Sequence, residues 1–179
     1  VILCHCYYSI SSLKYNDFEY ITRTPKVSFW RAMTDNDTGA SEPYNLAQWY
    51  AAGKFAKYKT VSWLEQEDAL KITFTYQAAC IPTFEFTVTY TAHFDGKLGV
   101  CVNYAGVSGM PDMPVLALDF KMKKQLCNFR YYGLGPDENY SDRCKGARLG
   151  LWKSTAKENL SGYLNPQECG NRTGVRTLS

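Results

Sequence analysis

The sequence predicts an all-β fold, an antiparallel β-sandwich with one short helix. Three observations predict it: long runs that alternate with a period of two, a hairpin turn between two of them, and a single short stretch with helical spacing. Near the start, Tyr7 to Lys14 and Phe18 to Ile21 flank Tyr15-Asn16-Asp17, which reads as a short hairpin with a local turn. Asn45 to Phe55 is the helix, with Asn45 as its cap and Leu46, Trp49, Tyr50 and Gly53 on one stripe. Ile72, Phe74 and Tyr76 then share one face of a strand, opposite Lys71, Thr73 and Thr75. Phe84, Phe86, Val88, Tyr90, Ala92 and Phe94 line one face of the next, with Glu85, Thr87, Thr89, Thr91 and His93 on the other. Asp95-Gly96 is a hairpin signal, and Leu98, Val100, Val102 and Tyr104 resume the pattern. Glycine and proline interrupt it between Gly106 and Pro114. Val115 to Met122 reads as a strand with Leu116, Leu118, Phe120 and Met122 aligned, and Leu126 to Tyr132 as another with Cys127, Phe129 and Tyr131 together.

The chain has 179 residues, the size of one domain, and no repeat, linker or low-complexity segment divides it. Its formal charge is +3, with 21% charged and 15% aromatic residues. That balance excludes a disordered charged tail or a coiled coil and gives no support for nucleic-acid binding, which needs clustered Lys and Arg. No apolar window is long enough to span a membrane. The opening Val-Ile-Leu-Cys-His-Cys lacks the basic and apolar regions of a signal peptide. Seven cysteines without a paired spacing read as free thiols of a reducing compartment, so a cytoplasmic location is expected. Cys4-His5-Cys6 lacks the further ligands that zinc requires.

Polar chemistry concentrates in three loop-like stretches. The first runs from Phe29 to Gly39 and contains Trp30, Arg31, Asp35, Asn36 and Asp37. The second runs from Tyr132 to Arg143 and contains Glu138, Asn139, Tyr140 and Asp142. The third runs from Pro166 to Thr173 and contains Glu168, Asn171 and Arg172. They read either as a sugar-facing rim, with Trp30, Tyr132 and Tyr140 stacking on a sugar, or as loops that satisfy their own polar groups and hold strand ends together. Glu138 and Glu168 have the residue type of a glycosidase pair, but spacing does not bring them together. Asp35-Asn36-Asp37 opens like a calcium loop, yet Ala40 and Leu46 stand where Gly and Glu are needed. His93 has no nucleophile motif, and Gly133-Leu134-Gly135 lacks the third Gly of a dinucleotide loop.

Together the stretches resemble a known family. Phe29-Trp30-Arg31-Ala32-x-Thr34-Asp35-Asn36-Asp37-x-Gly39 is similar to the opening motif of the C-terminal domain of bacterial family 2 β-galactosidases. Gly133-Leu134-Gly135-Pro136-x-Glu138-Asn139-Tyr140-x-Asp142-Arg143 resembles that domain's second signature. Pro166-Gln167-Glu168-x-Gly170-Asn171-Arg172-Thr173-x-Val175-Arg176 resembles its third. The order is the family's, with Met33 where Pro is usual and Gly174 where Asp is usual. The resemblance implies a supersandwich similar to the galactose mutarotase fold, of which this chain is a truncated portion continuing beyond residue 179 in the parent. It implies a non-catalytic part of an enzyme that hydrolyses terminal β-galactosides such as lactose, a portion that some lactic-acid bacteria carry as a separate small subunit. The two catalytic Glu and the magnesium and sodium sites are then expected in a separate barrel domain, with no catalytic group, cofactor or metal here. The expected partners are the remaining domains or the large subunit, with self-association through uncovered strand edges. The alternatives are a free-standing carbohydrate-binding module and, less compatible with only two His, a sugar epimerase.

Overall fold

The computed structural model describes the backbone of Ile2–Cys4 and all of residues 8–179. The element order is β1 (Ile2–Cys4), β2 (Ser9–Ser12), β3 (Lys14–Tyr15), β4 (Phe18–Glu19) and β5 (Ile21–Ser28), then α1 (Asp35–Gly39), α2 (Glu42–Asn45) and α3 (Ala47–Lys54). There follow β6 (Lys57–Glu65), β7 (Ala69–Gln77), β8 (Glu85–His93), β9 (Leu98–Tyr104), β10 (Ala117–Met122), a 3-10 turn (Lys124–Leu126), β11 (Asn128–Gly135), β12 (Arg148–Thr155) and β13 (Thr177–Leu178). The protein is predominantly β, with several antiparallel sheets and a few short helices. The chain divides into two compact units, one of residues 1–31 and 41–122, the other of residues 32–40 and 123–179.

The first unit is organised by the antiparallel sheet β6-β7-β8-β9. The alternation read from sequence is its buried face: Ile72 and Phe74 on β7 and Phe86, Val88 and Tyr90 on β8 are buried, while the intervening Thr residues are partly exposed. Register places Ile72 opposite Tyr90 and Phe74 opposite Val88, so the apolar residues of both strands stay on one side. Gly96 turns the chain at φ +90°, a backbone conformation that glycine adopts without steric cost. The same core takes in Ile21, Val27 and Phe29 from the β5 region, Ile10 from β2, and Trp49 and Ala52 from α3. Phe29 is fully buried, with its ring 5.7 Å from Trp49, 5.7 Å from Phe84 and 5.2 Å from Phe86. Burial of this apolar surface is the main force holding the unit together. At its start, Asn16 and Asp17 take φ of 47° and 60° between β3 and β4, the two-residue turn whose twist suits a hairpin.

The second unit is built on the sheet β12-β11-β13. Tyr131 on β11 is buried, and β11 pairs with β12 along its whole length. Gly135 belongs to this strand for a steric reason: a Cβ there would lie 2.3 Å from the Tyr131 hydroxyl and 2.8 Å from Trp152 Cδ1.

Several boundaries differ from the sequence reading. The helix begins at Ala47, and Asn45 does not cap it but ends α2, because α2 already uses that stretch. The α-helical content is also more than one helix, since Thr34 and Asp37 form a capping box that nucleates α1. Lys124–Leu126 forms a 3-10 turn, so the following strand starts at Asn128 and runs to Gly135, taking Tyr132–Gly135 out of the expected loop. Of the face expected along Val115–Met122, Leu118 packs on the core, whereas Phe120 and Met122 on β10, and Leu116 just before it, are exposed. Ile21 opens the long strand β5 rather than ending a short one. Tyr7, His5, Cys6 and the Cys4 side chain lie outside the described residues.

Candidate functional site

Two of the three motifs converge in the second unit, and Glu138 and Asn139 are the hinge of that convergence. Asn139 is buried, and its side-chain amide is fully used. Its Nδ2 donates to the Leu134 carbonyl at 2.9 Å and the Asp137 carbonyl at 3.1 Å. Its Oδ1 accepts the Thr173 backbone N–H at 2.9 Å and the Thr173 hydroxyl. Its backbone N–H donates to the Asn171 carbonyl at 2.9 Å, and its own carbonyl accepts from Asn171 Nδ2 at 2.9 Å. One buried amide thus joins the end of β11 to the third motif, which is the arrangement that makes burial of a polar side chain tolerable.

Glu138 gathers a different set of donors. Its side chain is 13% exposed. Oε2 accepts from Ser161 Oγ at 2.7 Å and from the Gly170 N–H at 2.8 Å. Oε1 accepts from the Tyr163 hydroxyl and, at 3.3 Å, from Arg143 Nη2. Burial by itself pushes the carboxyl upward, but the hydrogen bonds from Tyr163, Gly170 and Ser161 and the charge of Arg143 outweigh it and hold it below the ordinary Glu range. Gly170 delivers its N–H from φ +79°, and a Cβ there would lie 2.5 Å from the Asn159 carbonyl oxygen. Only glycine fits that position.

Arg143 spreads over the same cluster. Its guanidinium lies 4.4 Å from the Tyr140 ring centre, and Nη1 donates to the Tyr163 hydroxyl at 2.9 Å. The Tyr140 hydroxyl is buried beside the backbone of Asn171, whose geometry falls short of a hydrogen bond. Burial, then the charges of Glu138 and Glu168, pushes the Tyr140 phenol upward. Arg172 turns the other way: Nε donates to the Tyr131 hydroxyl at 2.9 Å, which in turn donates to the Pro136 carbonyl at 3.1 Å. Asp142 and Glu168 are exposed.

The first motif divides. Trp30 and Arg31 belong to the first unit, where Trp30 meets Tyr50 edge-to-face at 5.9 Å. Asp35, Asn36 and Asp37 belong to the second and form α1. Asp37 accepts the Thr34 N–H at 2.8 Å as a cap, and the Asp35 N–H donates to the Pro166 carbonyl at 2.8 Å, tying α1 to the third motif. Asp37 therefore serves the helix start rather than a calcium loop. Among the described residues no group of three or more His, Cys, Asp and Glu stands ready for a metal. His93 Nδ1 lies 3.8 Å from the Asp68 carboxylate at the end of β8, without a nucleophile. The described cysteines Cys80, Cys101, Cys127, Cys144 and Cys169 are free. No helix is long and apolar enough to cross a membrane. Sequence reasoning missed Ser161 and Tyr163, which lie outside the motifs; a Tyr in the polar run before the third motif was the available signal.

The geometry around Glu138 and Asn139 holds loops together. Comparison with known proteins gives these loops a family. Residues 7–179 match the family described as "Beta galactosidase small chain". The chain belongs to that family. It is 45% identical to a β-galactosidase of Clostridium acetobutylicum over 82% of this chain and 16% of that protein. It is 36% identical to a β-galactosidase of Streptococcus thermophilus over 100% of this chain and 17% of that protein. A β-galactosidase small subunit of Latilactobacillus sakei is 34% identical over 89% of this chain and 56% of the subunit. The small-chain region here thus spans about a sixth of the two longer relatives. The shared family agrees with the resemblance carried by the three motifs. It also puts the hydrogen-bonded net around Glu138 and Asn139 inside a β-galactosidase region.

Proposed function

We propose that the chain is a non-catalytic portion of a β-galactosidase that hydrolyses terminal β-galactosides such as lactose, and that it buttresses the catalytic barrel and shapes the rim of its pocket. The observation that carries this is the commitment of Glu138 and Asn139 to structure. Glu138 meets four donors and Asn139 satisfies every hydrogen-bonding group of its amide. A carboxyl held ionised in this way is a poor general acid at neutral pH. In this reading the two catalytic Glu, and any magnesium or sodium, belong to a separate barrel domain in the cytoplasm. The present sheets are the first part of a larger supersandwich of the mutarotase-like kind that continues in the parent. Its partners are the other domains or the large subunit, with no nucleic acid or membrane involved.

The test is reconstitution. The barrel-bearing remainder of a β-galactosidase is mixed with this chain, and lactose hydrolysis is followed. The chain is expected to raise the activity. Asn139→Ala, which strands several buried partners and costs about 3 kcal/mol, is expected to raise it less. Equal activity with and without the chain would overturn the supporting role.

A further inference from the structure

A second polar cluster lies in the first unit. A cleft of about 250 Å³ opens between β5, α3 and β10, lined by Arg23, Lys26, Trp30, Tyr50, Lys54 and Asp119 among others. Its charge is one-sided. Lys26 lies opposite Asp119 in the β5–β10 register, and Arg23 lies opposite Lys121, so cations outnumber the single carboxylate. Lys54 is pre-positioned: its Nζ sits 4.5 Å from the Tyr50 ring centre and donates to the Tyr50 hydroxyl, leaving other protons for a ligand. Trp30 and Tyr50 meet edge-to-face at 5.9 Å and form an aromatic corner.

The tryptophans of the chain differ in setting. Trp49 donates its indole N–H to the Pro111 carbonyl at 3.0 Å, and Trp152 donates to the Gly133 carbonyl at 3.2 Å. Trp30 is half-buried and lines the cleft beside Tyr50. An indole that is part apolar and part donor is suited to a ligand with a ring face and an acceptor. The volume is below the roughly 300–1,000 Å³ of drug-sized pockets, enough for one ring rather than a chain segment.

The geometry points to this cleft as a binding site for a carboxylate-bearing pyranose, a hexuronate, seated against Trp30 with its carboxylate between Lys26 and Lys54. The ring uses the aromatic corner, the indole N–H donates to a ring hydroxyl, and the ammonium groups make charge-assisted hydrogen bonds. This site does not depend on the role proposed for the Glu138 loops.

The test follows the indole N–H resonance of Trp30, assigned by its loss in Trp30→Phe, while the chain is titrated with glucuronate, galacturonate, galactose and acetate. Saturable shifts in the millimolar range are expected with the uronates. Galactose, which lacks the carboxylate and so both charged hydrogen bonds, is expected to bind about a hundredfold more weakly, and uronate binding to Lys26→Ala, which loses one of them, to weaken about tenfold. Unmoved Trp49 and Trp152 resonances in Lys26→Ala confirm that its fold is intact. No shift with uronates, equal shifts with galactose or acetate, or undiminished uronate binding by Lys26→Ala would overturn the assignment.

Discussion

At the scale of single residues, Glu138 does the most chemical work among the signature residues. Four donors from three stretches of chain meet one carboxylate, and they lower its pKa despite its burial. The consequence for stability has a definite sign. A carboxyl whose folded pKa lies below its unfolded value of about 4.3 stabilises the fold fully above that value, and the contribution is lost as pH falls through the folded pKa. The second unit is therefore expected to loosen below about pH 4. The protection of the Gly170 amide against hydrogen exchange, relative to its intrinsic rate at each pH, should fall over that window, and Glu138→Gln should already show low protection at neutral pH with little further change. A protection factor at Gly170, taken against the intrinsic rate at each pH, that stays constant in the unsubstituted chain from pH 6 to pH 3 would contradict the latch.

At the scale of elements, the first motif shows how one run of sequence serves two structures. Phe29 closes the aromatic core of the first unit, while Thr34 and Asp37 start α1 in the second. Phe29→Ala removes a fully buried ring and is expected to cost about 3–5 kcal/mol, read as a lower midpoint in urea denaturation. A shift under about 1 kcal/mol would mean the cavity collapses. The strands of this unit were legible because a two-residue period with one buried face leaves a direct trace in sequence, as along Phe84 to Ala92. β6 and β12 left a weaker trace, since none of their residues is buried and no apolar face stands out. The helix start was misplaced because Asn45 has the chemistry of a cap, and only the preceding turn at Ser41, with φ of 61°, shows that the chain has already turned helical there. At the site, the motif residues could be named from sequence, but the pairing of Glu138 with Ser161 and Tyr163 could not. Those contacts join residues 23 and 25 positions apart through loop geometry that no periodicity encodes.

At the scale of the whole molecule, the exposed edge of the first unit's sheet bears on assembly. β6 is an edge strand of its sheet, and Trp63 and Leu64 on it are 73% and 58% exposed. Trp63 lies opposite Ile72, which is 5% exposed, so the apolar side of the sheet reaches solvent at this edge. Such an edge pairs readily with another chain. Self-association that rises with concentration is expected in light scattering, and Trp63→Lys should reduce it; a monomer at all concentrations would contradict this. The proposed role concerns chemistry rather than assembly: Glu138 holds loops together instead of cleaving sugar. The most direct measurement is hydrolysis of nitrophenyl-β-galactoside and lactose by this chain alone. No turnover above background is the predicted result. Turnover that disappears in Glu138→Gln or Glu168→Gln would contradict the account.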